Sequence, residues 1–178
     1  HRRRLRHTRE RQQQLELLVR ERTEQLEVVN RALERLSTLD GLTGVANRRH
    51  LDEVLAAEWR RASRTASPLG LLLVDVDAFK ALNDNLGHQV GDEVLRRIAA
   101  VLRESSNRAG ELVARYGGEE FAVVMPGADI ATAMEQAERL RHRIERLAMP
   151  NQASPVASVV TVSVGVTVDT PAVNATLA

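Results

Sequence analysis

Two adjacent glycines, Gly117-Gly118, separate the short run Glu111-Leu112-Val113-Ala114 from a second apolar run, Phe121-Ala122-Val123-Val124-Met125. Glycine takes the positive φ that tight hairpins demand, so this spacing predicts two antiparallel strands joined by a two-residue glycine turn. Such a hairpin commits the chain to a sheet. The turn also delivers two consecutive carboxylates, Glu119 and Glu120, as the first residues of the outgoing strand. Neighbouring strand residues point to opposite faces, so the two acids cannot both be ordinary core or ordinary surface positions. A solvated hairpin tip is the plain explanation. Against it stands a second acidic strand end, Val74-Asp75-Val76-Asp77, which closes the apolar run Leu69 to Val74. Carboxylates converging from two strand ends form an oxygen-rich site suited to Mg2+, a hard cation that favours oxygen ligands and nucleotide phosphates.

A chain of 178 residues accommodates one medium domain plus an appendage. Its apolar fraction of 43% supports a packed core, and its net charge of +1 argues against non-specific nucleic-acid affinity. The absence of cysteine removes disulfides and thiolate metal sites, and fits a reducing compartment. No run of about 18 apolar residues is present, so this segment is not expected to span a membrane. The basic opening is not followed by the apolar region of a signal peptide. Opening on His1 rather than Met, the sequence reads as a piece of a longer protein.

Residues 1–38 contain no Gly or Pro and are dense in Arg, Glu, Gln and Leu, all good helix formers. Leu15, Val19, Arg22, Leu26, Val29, Leu33 and Leu36 are spaced alternately four and three apart, a heptad seam that extends back to Gln12, Thr8 and Leu5. A single apolar stripe has to be buried, which predicts a parallel two-stranded coiled coil; a lone helix lying on its own domain is the alternative. The opening His1-Arg2-Arg3-Arg4-Leu5-Arg6-His7 reads first as a solvated helical face and second as the cytoplasmic flank of a preceding transmembrane helix. A zipper-type DNA reader is disfavoured because the heptads lead straight into an enzyme-like domain.

Ser37 to Gly44 breaks the helical pattern with two glycines and capping residues, which predicts a hinge at 39–44 between a 1–38 helix and a 45–178 domain. Helical spacing follows over Asn47 to Ser63, with Trp59 as a core anchor. The pattern continues with a buried strand at Leu69 to Val74, a short helix at Ala78 to Leu86 ended by Gly87, and a helix over Val90 to Arg103. After the hairpin come a helix from Ile130 to Leu147 and a strand from Val159 to Val168. This order predicts an α/β (α+β) sandwich with a mainly antiparallel sheet.

Lys80 stands close to the acidic strand end, with backbone amides at a helix start between them, a favourable place for phosphate. Asn83 and Asp92 follow, flanking Gly87-His88-Gln89-Val90-Gly91. An amide offers a donor and an acceptor together, and a carboxylate accepts two adjacent N–H groups, which suits a guanine edge. Taken singly, Asn83 is more often a helix-end residue and Asp92 more often an N-cap for the next helix. Three of the four aromatics, Phe79, Tyr116 and Phe121, sit beside the acidic strand ends, as core packing also allows.

Asp40-Gly-Leu-Thr-Gly-Val-Ala-Asn47-Arg48-Arg49, the segment Asp75 to Asp92, and Arg115-Tyr-Gly-Gly-Glu-Glu-Phe121 resemble the GGDEF family of diguanylate cyclases, over roughly residues 39 to 168. The resemblance implies a nucleotidyl-cyclase palm-like fold that condenses two GTP into cyclic di-GMP and releases pyrophosphate. It implies that Asp75, the Val76 carbonyl and Glu119 hold Mg2+ (or Mn2+), with Glu120 close by. Glu119 would activate the ribose 3′-hydroxyl. Phe79 and Lys80 would hold the triphosphate, Asn83, His88 and Asp92 would line the guanine, and Arg115 would stand beside the substrate. Each domain would bind one GTP, so catalysis needs a homodimer, which the coiled coil supplies by raising effective concentration. An upstream sensor and a cytoplasmic location, in a soluble or membrane-anchored protein, complete the expectation, with no nucleic-acid partner.

Two departures from the family are visible. Its chain continues past the Val-Thr strand into a helix carrying a basic pair and a last strand, and both are missing by Ala178. Its inhibitory product site has Arg-x-x-Asp before the glycine pair, where this chain has Arg108-Ala109-Gly110-Glu111, with Arg139 matching a secondary arginine. A degenerate domain that binds nucleotide or a partner protein without catalysis is the rival, and the presence of every metal and guanine residue disfavours it. A cyclase forming a mononucleotide ring shares the metal logic but has no motif support.

Overall fold

The computed structural model describes residues 38–172 apart from 107, together with 19, 20, 22, 23 and 25. Those five are helical; the rest of the heptad seam, the basic opening and residues 173–178 lie outside the described residues. The chain divides into two compact units, His1–Ser37 and Thr38–Ala178.

In the second unit, helix α1 (Arg48–Thr65) starts at Asn47, whose side-chain oxygen accepts the His50 amide at 3.0 Å. It stops at Ala66, left-handed with φ 48°, two residues before Pro68. Strand β1 (Leu69–Val76) leads to α2 (Phe79–Leu86) and α3 (His88–Ser105). Gly87 alone joins those two helices: at φ 85° its amide closes α2 on the Asn83 carbonyl at 2.8 Å. The hairpin strands β2 (Leu112–Gly117) and β3 (Glu120–Pro126) follow, then α4 (Ile130–Glu145), N-capped by Asp129, and β4 (Val162–Asp169).

The four strands form one sheet in the order β2-β3-β1-β4, every neighbouring pair antiparallel, which agrees with the sandwich expected from the sequence. One face packs on α2, α3 and α4: Leu72, Val74, Val76, Phe121, Val123 and Met125 meet Leu82, Leu95, Ile98, Leu102, Leu140 and Ile144, all essentially buried. The other face packs on α1, where Leu69, Ala114, Ala122 and Val124 meet Leu51 and Ala62, with Leu55 and Trp59 partly buried beside them. Layers on both faces explain why β1 reads as an unbroken apolar run rather than an alternation. Small residues at Ala114 and Ala122 let α1 approach the sheet closely. Beyond α1 the sheet is open, and Leu73 remains 48% exposed.

Residues 39–44, expected as a hinge, form with Val45 and Ala46 a hydrogen-bonded turn against the sheet edge. The Ala46 amide donates to the Val113 carbonyl at 3.0 Å, and the Arg115 amide donates to the Ala46 carbonyl at 2.8 Å. Asp40 accepts from the amide and hydroxyl of Thr43 at 2.9 and 2.6 Å.

Two local expectations are corrected. The hairpin turn lies one residue further on than expected. Gly117 pairs with Glu120, so the turn residues are Gly118 and Glu119, and Tyr116 forms a bulge. Gly118 carries the positive φ of 49° and Glu119 does not, so one glycine suffices for the turn and the bulge absorbs the register shift. Asp92 is not an N-cap. Helix α3 starts at His88, which puts Asp92 in its second turn, because Gly87 turns the chain and leaves no linker to cap.

Candidate active site

Register brings the acids together. Asp75, near the end of the central strand β1, lies directly across from Glu120 on β3 and from Ser163 on β4. Side chains opposed on antiparallel strands share a face and stand about 4.5–5.5 Å apart at Cβ. Asp75 and Glu120 therefore project together onto the α1 face, with Glu119 in the adjoining turn. Like charges so opposed are unfavourable without a counter-ion. They line a groove of about 550 Å³ whose wall includes Leu55, Leu71, Leu73 and Tyr116.

Arg115 holds the turn. Its Nε and Nη2 donate to the Gly118 carbonyl at 2.9 and 2.7 Å, and its Nη1 contacts the Asp40 carboxylate at 3.2 Å. The guanidinium is thus engaged by the protein on two sides, tying the acidic turn to the 40–44 segment. Burial pushes the Asp40 carboxyl up, but the Thr43 hydroxyl and amide and the Arg115 charge outweigh it and hold the group below its ordinary value. Arg48 lies over the Tyr116 ring at 4.3 Å and donates to its hydroxyl at 3.1 Å, steadying the bulge.

Asp75 moves the other way. Burial raises its pKa, and the charges of Glu119, Glu120 and Asp77 raise it further. The native state therefore keeps this proton to a higher pH than the unfolded chain does, and Asp75 costs stability as pH rises from 3.8 through the raised value. In thermal melts without divalent cation, Asp75→Asn is expected to remove that decline, and Mg2+ or Mn2+ added to wild type at neutral pH to offset it. An unchanged pH slope in Asp75→Asn would contradict the assignment.

Among the described residues no three acidic or imidazole side chains form a ready-made metal cage. The opposed pair Asp75/Glu120, with Glu119 adjacent, nonetheless fits Mg2+, which is commonly held by one or two carboxylates with substrate phosphates and water completing its octahedron.

The other expected residues fall at and after the start of α2. Phe79 and Lys80 open that helix, the ring of Phe79 buried and Lys80 exposed. Asn83 and Asp92 sit on α2 and α3 respectively, with His88 at the first position of α3. Asn83 Oδ1 is buried without a hydrogen-bond partner among the described residues. Gly91 makes room for it: a Cβ there would stand 2.0 Å from Asn83 Oδ1 and 3.1 Å from the Phe79 ring.

Arg108, Glu111 and Arg139 line a separate cavity of about 330 Å³, shared with Glu104, Ser105, Gln136 and Arg143. Glu111 turns back and accepts the Arg108 amide at 3.1 Å. Arg139 donates to the buried Gln136, whose amide donates to the Ser105 carbonyl at 2.9 Å. Arg143 pairs with Glu104 at 2.9 Å.

Sequence reasoning missed Asp40 as the partner of Arg115, Gly91 as the space for Asn83, and Gln136 and Arg143 in the arginine cavity. It also passed over Thr161 and Ser163, although two hydroxyl residues spaced by two on a strand share a face.

The fold and the site define an α/β sandwich with an acidic groove at the strand ends, beside a helix start suited to phosphate. Residues 37–177 match the family described as diguanylate cyclase, GGDEF domain. The chain is 47% identical over 110 residues to the response regulator PleD of Caulobacter vibrioides, covering 61% of this chain and 24% of PleD. It is 41% identical over 108 residues to the diguanylate cyclase DosC of Escherichia coli, covering 61% of this chain and 23% of DosC. It thus spans about a quarter of the length of these relatives. The crystal structure of the coiled coil and GGDEF domain of DgcB from Caulobacter crescentus, in complex with c-di-GMP, superposes with a TM-score of 0.68 at 29% identity, covering 87% of this chain and 83% of that one. This chain belongs to the GGDEF-domain family of diguanylate cyclases. Among its described residues no helix is long and apolar enough to cross a membrane.

Proposed function

We propose that this chain is the catalytic part of a diguanylate cyclase that condenses two GTP into cyclic di-GMP and pyrophosphate. The observation that carries this is Asp75 opposed to Glu120 on neighbouring strands, with Glu119 in the adjoining turn. Asp75, the Val76 carbonyl and Glu119, with Glu120 alongside, would hold Mg2+ or Mn2+, and the ion would supply charge to the triphosphate and acidify the attacking hydroxyl.

The side chains and backbone do the rest by positioning and electrostatics. The amides of Phe79 and Lys80 and the Lys80 ammonium receive the triphosphate. Asn83 and Asp92 read the guanine edge, with His88 beside them. Glu119, held in place by Arg115, takes the proton of the ribose 3′-hydroxyl as its oxygen bonds to the α-phosphorus of the second GTP and pyrophosphate leaves. Incubation with GTP and Mg2+ and resolution of the products by mass tests this. Cyclic di-GMP is expected; nucleotide binding without product would favour a non-catalytic regulatory domain, and a mononucleotide ring would show a different cyclase.

Two domains must meet, and the heptad seam provides the means; the solved DgcB relative likewise contains a coiled coil. The chain is expected to be a homodimer, and Leu33→Asp, which charges the centre of the seam, to give monomers with much lower activity per chain. A wild-type chain that sediments as a monomer at high micromolar concentration would refute this. An upstream sensor in a longer, cytoplasmic signalling protein would control the pairing.

The Arg108/Glu111/Arg139 cavity is proposed as a weakened product site. Glu111 carries its carboxylate about one bond length, on the order of 1.5 Å, further out than aspartate, and here it is spent on the Arg108 amide. Calorimetry with cyclic di-GMP is expected to show weak binding at this cavity that Glu111→Asp strengthens and Arg108→Ala removes. Tight wild-type binding that Glu111→Asp does not improve would refute it.

A further inference from the structure

Asp77, the second acid at the end of β1, has no role in the scheme above, and among the described residues its hydrogen bonds go to Thr161 and Ser163, at the start of β4. Asp77 Oδ2 accepts the Thr161 hydroxyl at 2.7 Å, Oδ1 accepts the Ser163 hydroxyl at 2.7 Å, and the Asp77 amide donates to the Thr161 carbonyl at 3.0 Å. The register accounts for all three. Val76 pairs with Val162 at the end of the ladder, so Asp77 continues it opposite Thr161. Ser163, one step back on the same face, sits across from Asp75 and reaches the second carboxylate oxygen diagonally.

The next residue shows what this tie restrains. Ala78 is left-handed, with φ 53° and ψ 33°, a conformation that a residue with a Cβ keeps only where its surroundings over-determine it. Phe79 then starts α2, and the Leu82 amide closes its first turn on the Ala78 carbonyl at 3.1 Å. The strained residue is therefore held by the three Asp77 bonds on one side and by the helix on the other. Asp75 and the Val76 carbonyl precede this junction, and the amides of Phe79 and Lys80 follow it.

We propose that Asp77 is a positioning residue rather than a metal ligand: clamped by Thr161 and Ser163, it sets the spacing between the cation-holding end of β1 and the phosphate-facing start of α2. The proposal rests on the cyclase reading. It predicts that deleting the two hydroxyls reproduces the loss of Asp77, because the carboxylate acts through them. It also predicts that Asp77→Asn rescues most of the function, since an amide can accept from one hydroxyl and donate to the other. A metal ligand would behave oppositely, with Asn as damaging as Ala and the hydroxyls dispensable.

Mn2+ binding to the whole chain, followed by electron paramagnetic resonance with a GTP analogue that cannot react at the α-phosphorus, separates these cases. Thermal unfolding of each variant reports on folding. Asp77→Ala and the near-isosteric pair Thr161→Val/Ser163→Ala are each expected to weaken Mn2+ and nucleotide binding by about tenfold or more, the usual effect of losing an outer partner of a metal site. Asp77→Asn is expected to stay within about threefold of wild type. Binding intact in the hydroxyl pair would overturn the proposal, as would Asn matching Ala. A wild-type chain that binds neither Mn2+ nor the analogue would overturn the cyclase reading, and this proposal with it.

Discussion

Glu119→Gln is expected to abolish cyclic di-GMP synthesis while leaving the fold intact. Position 119 needs no positive φ, so glutamine fits the turn that Gly118 makes and Arg115 holds through the Gly118 carbonyl. The substitution removes a charge that helps raise the Asp75 pKa, so the unfolding midpoint without metal should not fall. It also removes the group placed to take the 3′-hydroxyl proton. Positioned general bases contribute about 10²–10⁴-fold, and loss of a cation-holding oxygen adds to that, so turnover should drop by at least about 100-fold. Product formation by mass, alongside thermal melts, decides the matter; near-normal synthesis by Glu119→Gln would remove Glu119 from the mechanism.

Gly91→Ala is expected to cost nucleotide affinity more than it costs stability. Two effects on the fold oppose each other. Alanine is favoured over glycine in a helix interior by about 1 kcal/mol, whereas forcing a methyl into a packed contact costs about 1–3 kcal/mol. The new Cβ would meet Asn83 Oδ1 at 2.0 Å, so the Asn83 amide must swing away, while the Phe79 ring, 3.1 Å away in the core, has little room to yield. The net loss of stability should be small. Displacing Asn83 deprives the guanine edge of a partner, and losing a hydrogen bond in a built site leaves other groups unpaired. At about 1.4 kcal/mol per tenfold, one such bond is worth roughly tenfold in affinity. Titration of a fluorescent GTP analogue, with thermal unfolding as control, measures both effects. Wild-type affinity in a folded Gly91→Ala protein would show that Asn83 does not touch the nucleotide.

These two residues differ in how far they could be read in advance. Glu119 was visible from its place after a glycine pair, although its place in the turn rather than on the strand depended on the Tyr116 bulge. Gly91 falls inside the helix expected over Val90 to Arg103, where nothing in the sequence gives it a role. Its use depends on how closely α3 crosses α2, which follows from the single-residue connection at Gly87. Arg115 was expected beside the substrate, yet its guanidinium reaches Asp40, a residue 75 positions away that resembled part of a hinge. Nothing in the spacing of the two could have joined them.

The order and kind of the elements, the presence of the hairpin, and the acidic character of the two strand ends are all legible in the chain's residues. Those properties depend on local rules: the period of apolar residues, the φ that glycine permits, and the alternation of side chains along a strand. Which acids meet depends instead on strand order and register. Placing β1 between β3 and β4 puts Asp75 opposite Glu120 and lets Thr161 and Ser163 engage Asp77. Strand order and register are set by long-range packing of both sheet faces, in which a slip of one residue would turn every side chain to the wrong side.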